Sequence, residues 1–244
     1  MEKRLSVTIV IPVYNEEVEL HERIETLVAY CKANVTSFDW EIVIADNAST
    51  DATLKIAQTL AKKYSQVYAL HMDQKGRGRA VKYAWMQSKS DILAYMDVDL
   101  STDLRHLLPL LQSLTRGYDI AIGTRNAFGS RVYGRNWLRT ITSKGYISLI
   151  KLLFWVRFTD AQCGFKAVTS EVVKNIIPHI KDNEWFFDTE FLIFAEKSRL
   201  RIYEEPVTWV DNPGSTVRVL KTAQGDLRGL KRLFFTRPWK KQKV

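Results

Sequence analysis

The stretch Ser90-Asp-Ile-Leu-Ala-Tyr-Met-Asp-Val-Asp-Leu-Ser-Thr102 decides the fold that we expect for this chain. Residues 92–96 form an uninterrupted apolar run, which is typical of a strand buried on both faces of a parallel sheet. The run ends in Asp97 and Asp99, and side chains two residues apart in extended backbone project to the same side. Ligands bind at the carboxyl ends of such strands, and hard divalent cations prefer oxygen ligands. The pair therefore predicts a metal site, with capping of a helix that starts near Asp103 as the alternative.

Strand and helix patterns alternate along the chain around this run. Apolar runs predict strands over residues 5–13, 40–45, 67–70, 92–96 and 119–122, and helical spacing predicts helices over 17–32, 52–64, 80–87 and 103–115. Strands that alternate with helices form parallel sheets with helices on both faces. The sequence therefore predicts an α/β fold that is Rossmann-like, with a mostly parallel sheet.

The composition indicates one large folded unit. The chain has 244 residues, of which 46% are hydrophobic, enough to bury one sizeable core. Cys31 and Cys163 lie far apart and lack metal or redox spacing, which favours two reduced thiols in a cytoplasmic protein; a disulfide is the alternative. The N-terminus has no small-residue cleavage site and no apolar region long enough to insert, so we expect no signal peptide.

The positive charge is concentrated at the C-terminal end. Residues 218–244 contain nine Lys or Arg and a single acid, Asp226, so they carry +8 of the net charge of +9. Their leucines and aromatic residues are interleaved with the cations, as in an amphipathic helix at a lipid interface; a solvated helix packed on the core is the alternative. We therefore expect one domain over residues 1–217 and a basic amphipathic segment over 218–244 that meets a membrane surface.

Polar groups suited to a nucleotide follow two other predicted strands. Asp46 ends the second strand and is placed to accept a hydrogen bond from a base or ribose. Lys75-Gly-Arg-Gly-Arg79 follows the third strand and supplies flexible backbone, a helix N-terminus and cations, all favourable to a diphosphate. An ordinary turn and helix cap is the alternative for this loop.

Taken together, the motifs resemble those of the family-2 glycosyltransferases. Four of them match in order and approximate spacing: Ile11-Pro-Val-Tyr-Asn-Glu16, Ala45-Asp-Asn-Ala-Ser-Thr-Asp51, Lys75-Gly-Arg-Gly-Arg-Ala80 and Asp97-Val-Asp99. Three later ones are similar to enzymes that glycosylate a polyprenyl phosphate: Ile122-Gly-Thr-Arg125, Asp160-Ala-Gln-Cys-Gly-Phe-Lys166 and Trp185-Phe-Phe-Asp-Thr-Glu190. The Gln-Cys-Gly-Phe-Lys form looks most like dolichyl-phosphate β-glucosyltransferases, relatives of the dolichyl-phosphate mannose synthases. The resemblance implies the GT-A fold, with the catalytic domain in residues 1–217.

The resemblance also implies roles for individual residues. The implied donor-binding residues are Pro12, Tyr14, Glu16, Asp46, Asp51, Lys75, Gly76, Asp97 and Arg218, the last standing near the position of a lysine in relatives. The implied ligands of a divalent metal, Mg²⁺ or Mn²⁺, are Asp97 and Asp99. The implied contacts to the acceptor phosphate are Arg125, Arg139 and Ser143, and those at the reacting centre are Asp160, Asp188 and Gln162.

An acceptor phosphate changes the catalytic requirement. A phosphate monoester has a second pKa of about 6 and is largely a dianion at neutral pH. The nucleophile therefore needs little help from a general base, and Asp160 or Asp188 would orient it or take part directly. For each aspartate, capping of a helix or pairing with an arginine is the alternative.

The activity implied by the resemblance is inverting transfer of a hexose, glucose in particular, from a nucleotide sugar to a polyprenyl or dolichyl phosphate. UDP-glucose is the favoured donor, with GDP-mannose as the alternative, and no nucleic acid partner is expected. Residues 145–157 are too few and too interrupted by charge to span a membrane, so we expect an interfacial or buried helix there. The protein would then be peripheral on the cytoplasmic face of a membrane, or anchored there if the natural chain continues. A glycosyltransferase with a soluble or saccharide acceptor, and a non-enzymatic protein that binds anionic membranes or nucleic acid, are the alternatives.

Overall fold

A seven-stranded sheet forms the centre of the protein, for which the computed structural model describes residues 4–211 and 219–241. The strands are β1 (Ser6–Val13), β2 (Asp39–Asn47), β3 (Val67–Met72), β4 (Ile92–Met96), β5 (Ile120–Thr124), β6 (Arg131–Tyr133), β7 (Phe165–Thr169), β8 (Ile202–Pro206) and β9 (Thr208–Val210). The helices are α1 (Leu20–Asn34), α2 (Thr53–Lys63), α3 (Arg77–Gln87), α4 (Leu107–Thr115), α5 (Trp137–Phe154), α6 (Ser170–Ile176), α7 (Phe187–Lys197) and α8 (Val219–Thr236). Short 3₁₀ helices cover Leu104–His106, Ile177–His179 and Pro238–Lys241. The order in the large sheet is β3-β2-β1-β4-β7-β5-β8, and β6 pairs separately with β9.

Strand β4 is the apolar run from which the sequence argument started. Its five residues are all buried, and they alternate between two cores, with Leu93 and Tyr95 facing one core and Ala94 and Met96 facing the other. The strand pairs in parallel with β1. Its predicted bounds and its burial on both faces are therefore confirmed, and its pairing is parallel with one of its two neighbours.

Strand β7 is the one reversed strand of the sheet. It lies antiparallel between β4 and β5, whereas the other strand pairs of this sheet are parallel. Phe165 at the start of β7 is paired with Met96 at the end of β4. Because an antiparallel neighbour begins where its partner ends, the residues just before β7 come to the edge that carries Asp97. The sheet is mostly parallel, as predicted, and the reversal is the feature that the sequence pattern did not indicate.

Helices cover both faces of the sheet, as the alternation predicted. Helices α1, α2 and α4 pack on one face around residues such as Leu60 and Leu110. Helices α3, α5, α6, α7 and α8 pack on the other face around Trp85 and Phe191. Trp85 is fully buried, and its indole nitrogen donates to the carbonyl oxygen of Ala94 at 3.2 Å, which satisfies its polar atom inside the core.

Helix α8 contains the described part of the basic C-terminal segment. Leu230 and Leu233 are buried in the core beside α7, whereas Leu227 and Phe235 are 56% and 74% exposed. Leu230 and Leu233 agree with the alternative of a helix packed on the core. Leu227 and Phe235 are exposed apolar residues beside the cations of the same helix. The predicted boundary between residues 217 and 218 falls outside the described residues.

Both cysteines are free thiols in the interior, as the favoured interpretation of their spacing predicted. Burial raises the pKa of Cys31 and of Cys163 to about 12. Because the thiolate is the reactive form, neither side chain is suited to act as a nucleophile at neutral pH.

Candidate active site

The loops that follow β1, β2 and β4 meet at the carboxyl edge of the sheet, and each contains a residue in the left-handed conformation. Asn15, Ala48 and Leu100 have φ angles of 54°, 58° and 51°. The backbone nitrogen of Asn15 donates to Ser49 Oγ at 3.0 Å, which ties the first loop to the second. Residues other than glycine adopt this conformation at a cost, and such residues cluster at functional sites. The edge predicted to bind the donor therefore contains three of the six non-glycine residues with positive φ among the described residues.

Tyr14 and Lys75 are brought together by the loops after β1 and β3. Lys75 Nζ lies 4.0 Å from the centre of the Tyr14 ring and donates to its hydroxyl group. Pro12, also predicted at the donor site, pairs with Ala45 at the ends of β1 and β2. The pair of Tyr14 and Lys75 offers an aromatic surface and a cation at one point, a combination suited to a nucleoside with a diphosphate.

Asp46 lies at the end of β2 with no exposed surface. Its Oδ2 atom is 2.6 Å from His71 Nδ1, while its buried Oδ1 atom has no hydrogen-bond partner within the described residues. The side-chain oxygen of the next residue, Asn47, is likewise buried and unpaired there. An unpaired buried oxygen is costly. Two of them side by side fit the prediction that a base or ribose donates hydrogen bonds at this strand end.

Asp51 and Glu16 have different surroundings at the same edge. Asp51 accepts hydrogen bonds from the backbone nitrogens of Thr53 at 3.0 Å and Glu17 at 3.3 Å, so it holds the β1 loop against the start of α2. Burial and the neighbouring carboxylates of Glu19, Asp99, Asp51 and Asp97 raise the pKa of Glu16 to about 7. Negative charge is therefore accumulated in the cleft where a cation is predicted.

Gly76 and Gly78 allow the start of α3 to pass close to the loop before α7. Gly76 has a φ angle of 146°, and a Cβ atom there would lie 2.5 Å from the carbonyl oxygen of Asn183. A Cβ atom on Gly78 would lie 2.4 Å from that of Phe187. The helix begins at Arg77, three residues before the predicted start at residue 80. This early start places Arg77 in the first turn, against the end of β4.

Arg77 connects the two acidic motifs and was not singled out in the sequence. Its guanidinium contacts Asp97 at 2.5 Å and Asp188 at 2.8 Å, and it lies over the rings of Tyr95 and Trp185. Asp188 is buried, receives a hydrogen bond from Tyr95, and pairs with the fully buried Lys166 at 2.8 Å. Although burial alone would raise the pKa of Asp188, Lys166 and Arg77 hold it below its usual value. Asp188 is thus paired with two cations, and its place at the reacting centre stays a prediction.

Asp97 and Asp99 line one small cavity together with Ser101, Gly164 and Trp209. Gly164 leaves room for the carboxylate, since a Cβ atom on it would lie 1.8 Å from Asp97 Oδ2. Asp99 accepts hydrogen bonds from the backbone nitrogen of Ser101 at 3.0 Å and from its hydroxyl at 2.7 Å. Two carboxylates on one cavity form a donor set that suits Mg²⁺ or Mn²⁺. No group of three or more His, Cys, Asp or Glu residues placed for a metal occurs in the described part of the chain, and Asp97 and Asp99 stay the predicted ligands.

Asp160 and Arg125 form a buried pair. Arg125 donates to Asp160 through Nε at 2.7 Å, through Nη2 at 3.0 Å and through its backbone nitrogen at 3.1 Å. Although burial alone would raise the pKa of Asp160, Arg125 holds it below its usual value. Gln162 donates from its backbone nitrogen to Asp160 at 3.1 Å and from its side chain to Asp226 of α8 at 3.0 Å. The Asp160–Lys166 motif is therefore tied to both Arg125 and the C-terminal helix.

Arg139 and Ser143 lie on α5, one turn apart. Arg139 pairs with Asp211 at 2.7 Å, and Ser143 is half-buried on the same helix. Trp209 lies on β9, and Asp211 is the first residue after that strand. The centre of the Trp209 ring lies 5.4 Å from the Arg125 guanidinium carbon. Asp211 and Trp209 thus place Arg139 and Arg125 near the same short strand. Arg218, predicted at the donor diphosphate, lies outside the described residues.

Arg77, Lys166 and Asp226 belong to the site but were not predicted, because the sequence patterns around them do not distinguish them from their neighbours. Arg77 belongs to a quoted motif with three cations, and no pattern tells which of them turns inward. Lys166 ends the Gln-Cys-Gly-Phe-Lys motif, and its burial follows from its place in β7 beside β4. Asp226 is the single acid of the basic segment, an isolated charge that could have drawn attention.

Helix α5 leaves an apolar face uncovered. Trp137, Ile141, Leu152 and Trp155 are 71%, 57%, 75% and 85% exposed, while Ile150 and Phe154 on the same stretch are buried. Exposed aromatic and aliphatic residues in such number are typical of interaction surfaces. Of the helices among residues 4–211 and 219–241, none is long and apolar enough to cross a bilayer.

Comparison with known proteins gives consistent results. The profile of Glycosyl transferase family 2 matches residues 8–177. Glycosyltransferase AglD of Haloferax volcanii is 32% identical over 91% of this chain and 36% of that protein. A protein of Trichomonas vaginalis named Dolichyl-phosphate beta-glucosyltransferase ALG5A is 30% identical, over 87% of this chain and 68% of that protein. The chain thus spans about a third of the first relative and about two thirds of the second.

Solved structures share the architecture. Glucosyl-3-phosphoglycerate synthase of Mycobacterium tuberculosis, in complex with Mn²⁺, uridine diphosphate and phosphoglyceric acid, matches with a TM-score of 0.68 and 16% identity, over 96% of this chain and 78% of that chain. At this identity the likeness shows the fold, which is GT-A as the resemblance implied. Because the family profile covers more than half of the chain, the protein belongs to glycosyl transferase family 2.

Proposed function

We propose that this protein transfers glucose from UDP-glucose to a polyprenyl phosphate, with inversion at the anomeric carbon. The observation that carries the proposal is the position of Trp209. Its ring lines the cavity of Asp97 and Asp99 and also lies beneath the Arg125 guanidinium. This position supports the proposal, because the proposed site for a metal-bound diphosphate and the proposed site for a second phosphate would then adjoin, as transfer between two phosphate groups requires.

The donor lies along the edge formed by the loops after β1, β2 and β3. Asp46 accepts from the base or ribose through its unpaired oxygen, and Tyr14 and Lys75 bind the nucleoside and the diphosphate. Relatives named dolichyl-phosphate beta-glucosyltransferase support glucose as the sugar and a polyprenyl phosphate as the acceptor. Asp97 and Asp99 would hold Mg²⁺ or Mn²⁺, which when bound supplies positive charge for the leaving diphosphate.

The acceptor phosphate is the nucleophile. One of its oxygens forms a bond to the anomeric carbon, the bond from that carbon to the diphosphate oxygen breaks, and the electron pair leaves with UDP. A dianionic phosphate has no proton to lose in this step, so the reaction balances without a general base. The pairing of Asp160 with Arg125 agrees with this, because a carboxylate whose pKa is lowered is a poor base. Asp160 instead orients Arg125, which keeps three N–H groups for the phosphate.

The acceptor reaches the site from a membrane surface. The exposed apolar face of α5 follows Arg125 in the chain after the short strand β6, and Arg228 and Lys231 are exposed on α8. Apolar residues beside cations favour an anionic lipid interface. These surfaces support the proposal that the protein works at a membrane surface, for which we propose the cytoplasmic face, either as a peripheral protein or anchored there if the natural chain continues.

A donor and acceptor panel tests the proposal. The purified chain is offered UDP-glucose, UDP-galactose or GDP-mannose, each with polyprenyl phosphate, polyprenol or phosphoglycerate, and product is scored in the lipid and water phases. We expect glucose-labelled lipid from UDP-glucose with polyprenyl phosphate alone, and none from polyprenol. Product from GDP-mannose would contradict the donor, and equal transfer to phosphoglycerate would contradict the lipid acceptor. An Asp99→Ala variant serves as the inactive control.

A further inference from the structure

Three arginines surround the N-terminal end of α5, and two of them already have a carboxylate partner. Arg125 is paired with Asp160, and Arg139 with Asp211. A phosphate dianion that met these two pairs alone would find no net positive charge. The acceptor site as proposed so far therefore lacks the charge that would hold a dianion.

Arg135 supplies the missing charge. Within the described residues it has no carboxylate partner, and its Nε atom is buried without a hydrogen-bond partner. Its guanidinium carbon lies 5.8 Å from the centre of the Trp209 ring, the same ring that lies beneath Arg125. Burial and the charges of Arg125 and Arg139 lower the pKa of Arg135 more than Asp160 and Asp211 raise it, so the three cations and two carboxylates share one electrostatic environment.

We propose that Arg135 binds the acceptor phosphate directly and gives that site its net positive charge. This inference rests on the proposed function, since it concerns the phosphate of the same acceptor. The guanidinium lies over the Trp209 ring, and its planar fork of donors matches two phosphate oxygens at once. An unpaired buried Nε–H is satisfied when such a ligand binds.

The test measures binding of geranyl phosphate, a water-soluble isoprenoid phosphate monoester, by titration calorimetry. Arg135→Gln should weaken this binding by about 10- to 100-fold, the loss expected for a charge-assisted hydrogen bond. Arg135→Lys should recover part of the affinity, because the ammonium restores charge but not the fork. In turnover assays the same variants should raise the acceptor KM while binding of UDP stays unchanged.

Arg131→Gln is the matched control, since Arg131 is exposed on β6 four residues earlier and its removal changes the net charge equally. If Arg131→Gln weakened binding of geranyl phosphate as much as Arg135→Gln, the loss would reflect the net charge of the protein, and direct contact between Arg135 and the phosphate would be refuted. The inference also fails if Arg135→Gln binds geranyl phosphate as tightly as the natural protein does. A failure of the proposed function is distinct: the natural protein would then bind geranyl phosphate with an affinity that depends on Arg135, yet form no glucose-labelled lipid from UDP-glucose and polyprenyl phosphate.

Discussion

Replacement of Asp160 by Asn is the sharpest test of how the acceptor site is built. The carboxylate accepts four hydrogen bonds, two at Oδ2 from Nε and the backbone nitrogen of Arg125, and two at Oδ1 from Arg125 Nη2 and the backbone nitrogen of Gln162. An amide has one oxygen, so two of these four donors would face an NH₂ group. The substitution therefore removes the counter-charge of Arg125 and leaves part of its hydrogen bonding unsatisfied.

The cost in stability follows from burial. The Asp160 and Arg125 side chains are 2% and 11% exposed. Removing one partner of such a buried pair costs about 3–5 kcal/mol, because the other charge stays buried without compensation. Since the pKa of Asp160 is lowered in the folded state, its contribution is present above the unfolded pKa and is lost as pH falls through the folded pKa. The difference between Asp160→Asn and the natural protein should thus be full at neutral pH and shrink in acid.

Urea unfolding and rate–pH profiles check both parts of this prediction. Asp211→Asn is the control for stability, because the Arg139 side chain of that pair is 45% exposed and the expected cost is about 1 kcal/mol or less. The Asp160→Asn enzyme should keep measurable turnover with a limb near pH 6, where the acceptor phosphate ionises. If that limb disappeared in the variant, Asp160 would be the general base. If the two Asn variants lost equal stability, the buried-pair argument would be refuted.

Three further predictions concern the cavity, α8 and the membrane. Gly164→Ala places a methyl group against Asp97 and should abolish metal-dependent turnover. Turnover of UDP-glucose at several Mn²⁺ concentrations measures this effect, and near-normal metal affinity would contradict the prediction. Burial raises the pKa of Asp226 to about 6, so the stability that its protonated form contributes is lost as pH rises through 6. The free energy of unfolding of Asp226→Asn should therefore rise, relative to that of the natural protein, by up to about 3 kcal/mol between pH 4 and 7 in urea titrations. Equal pH dependence of both proteins would rule this out. Reversal of Arg228 and Lys231 to Glu should weaken sedimentation with anionic vesicles at least 10-fold at low salt, since each cation contributes about 1 kcal/mol, and should leave neutral vesicles unaffected; undiminished binding would show that α8 faces away from the membrane.

The fold was predictable where the apolar pattern decided it. Strand β4 has the bounds given by its apolar run, because a strand buried on both faces needs every residue to be apolar. The reversal of β7 was not predictable, since a strand of the same composition could pair in either direction. The direction depends on the path of the chain through β6 and α5 before β7 begins. Likewise, the pattern of α8 suited both a lipid surface and the core, and only packing showed that Leu230 and Leu233 point inward.

The candidate site was predictable as a set of motifs but not as a set of pairs. The sequence indicated Asp160, Asp188 and Arg125 as separate groups, whereas the structure shows each with its partner: Asp160 with Arg125, and Asp188 with Lys166 and Arg77. Pairing depends on side-chain direction across distant elements, and the linear pattern contains no such information. The partners change the chemistry of these two carboxylates, because the cations lower the pKa of Asp160 and of Asp188.

The charges along Asp97, Arg77, Asp188 and Lys166 show how a metal and an arginine can share one carboxylate. The signs alternate along this chain of contacts, so the two acids and two bases are balanced among themselves. Arg77 also pairs with Asp188, which in turn pairs with Lys166. The charge of Arg77 is therefore shared between two carboxylates, and Asp97 can bind a second cation. Asp99 has hydrogen bonds from Ser101 but no cation among the described residues. A divalent ion added at Asp97 and Asp99 is then the charge that this edge of the cleft lacks, and Arg77, retained by Asp188, remains beside it to meet the diphosphate.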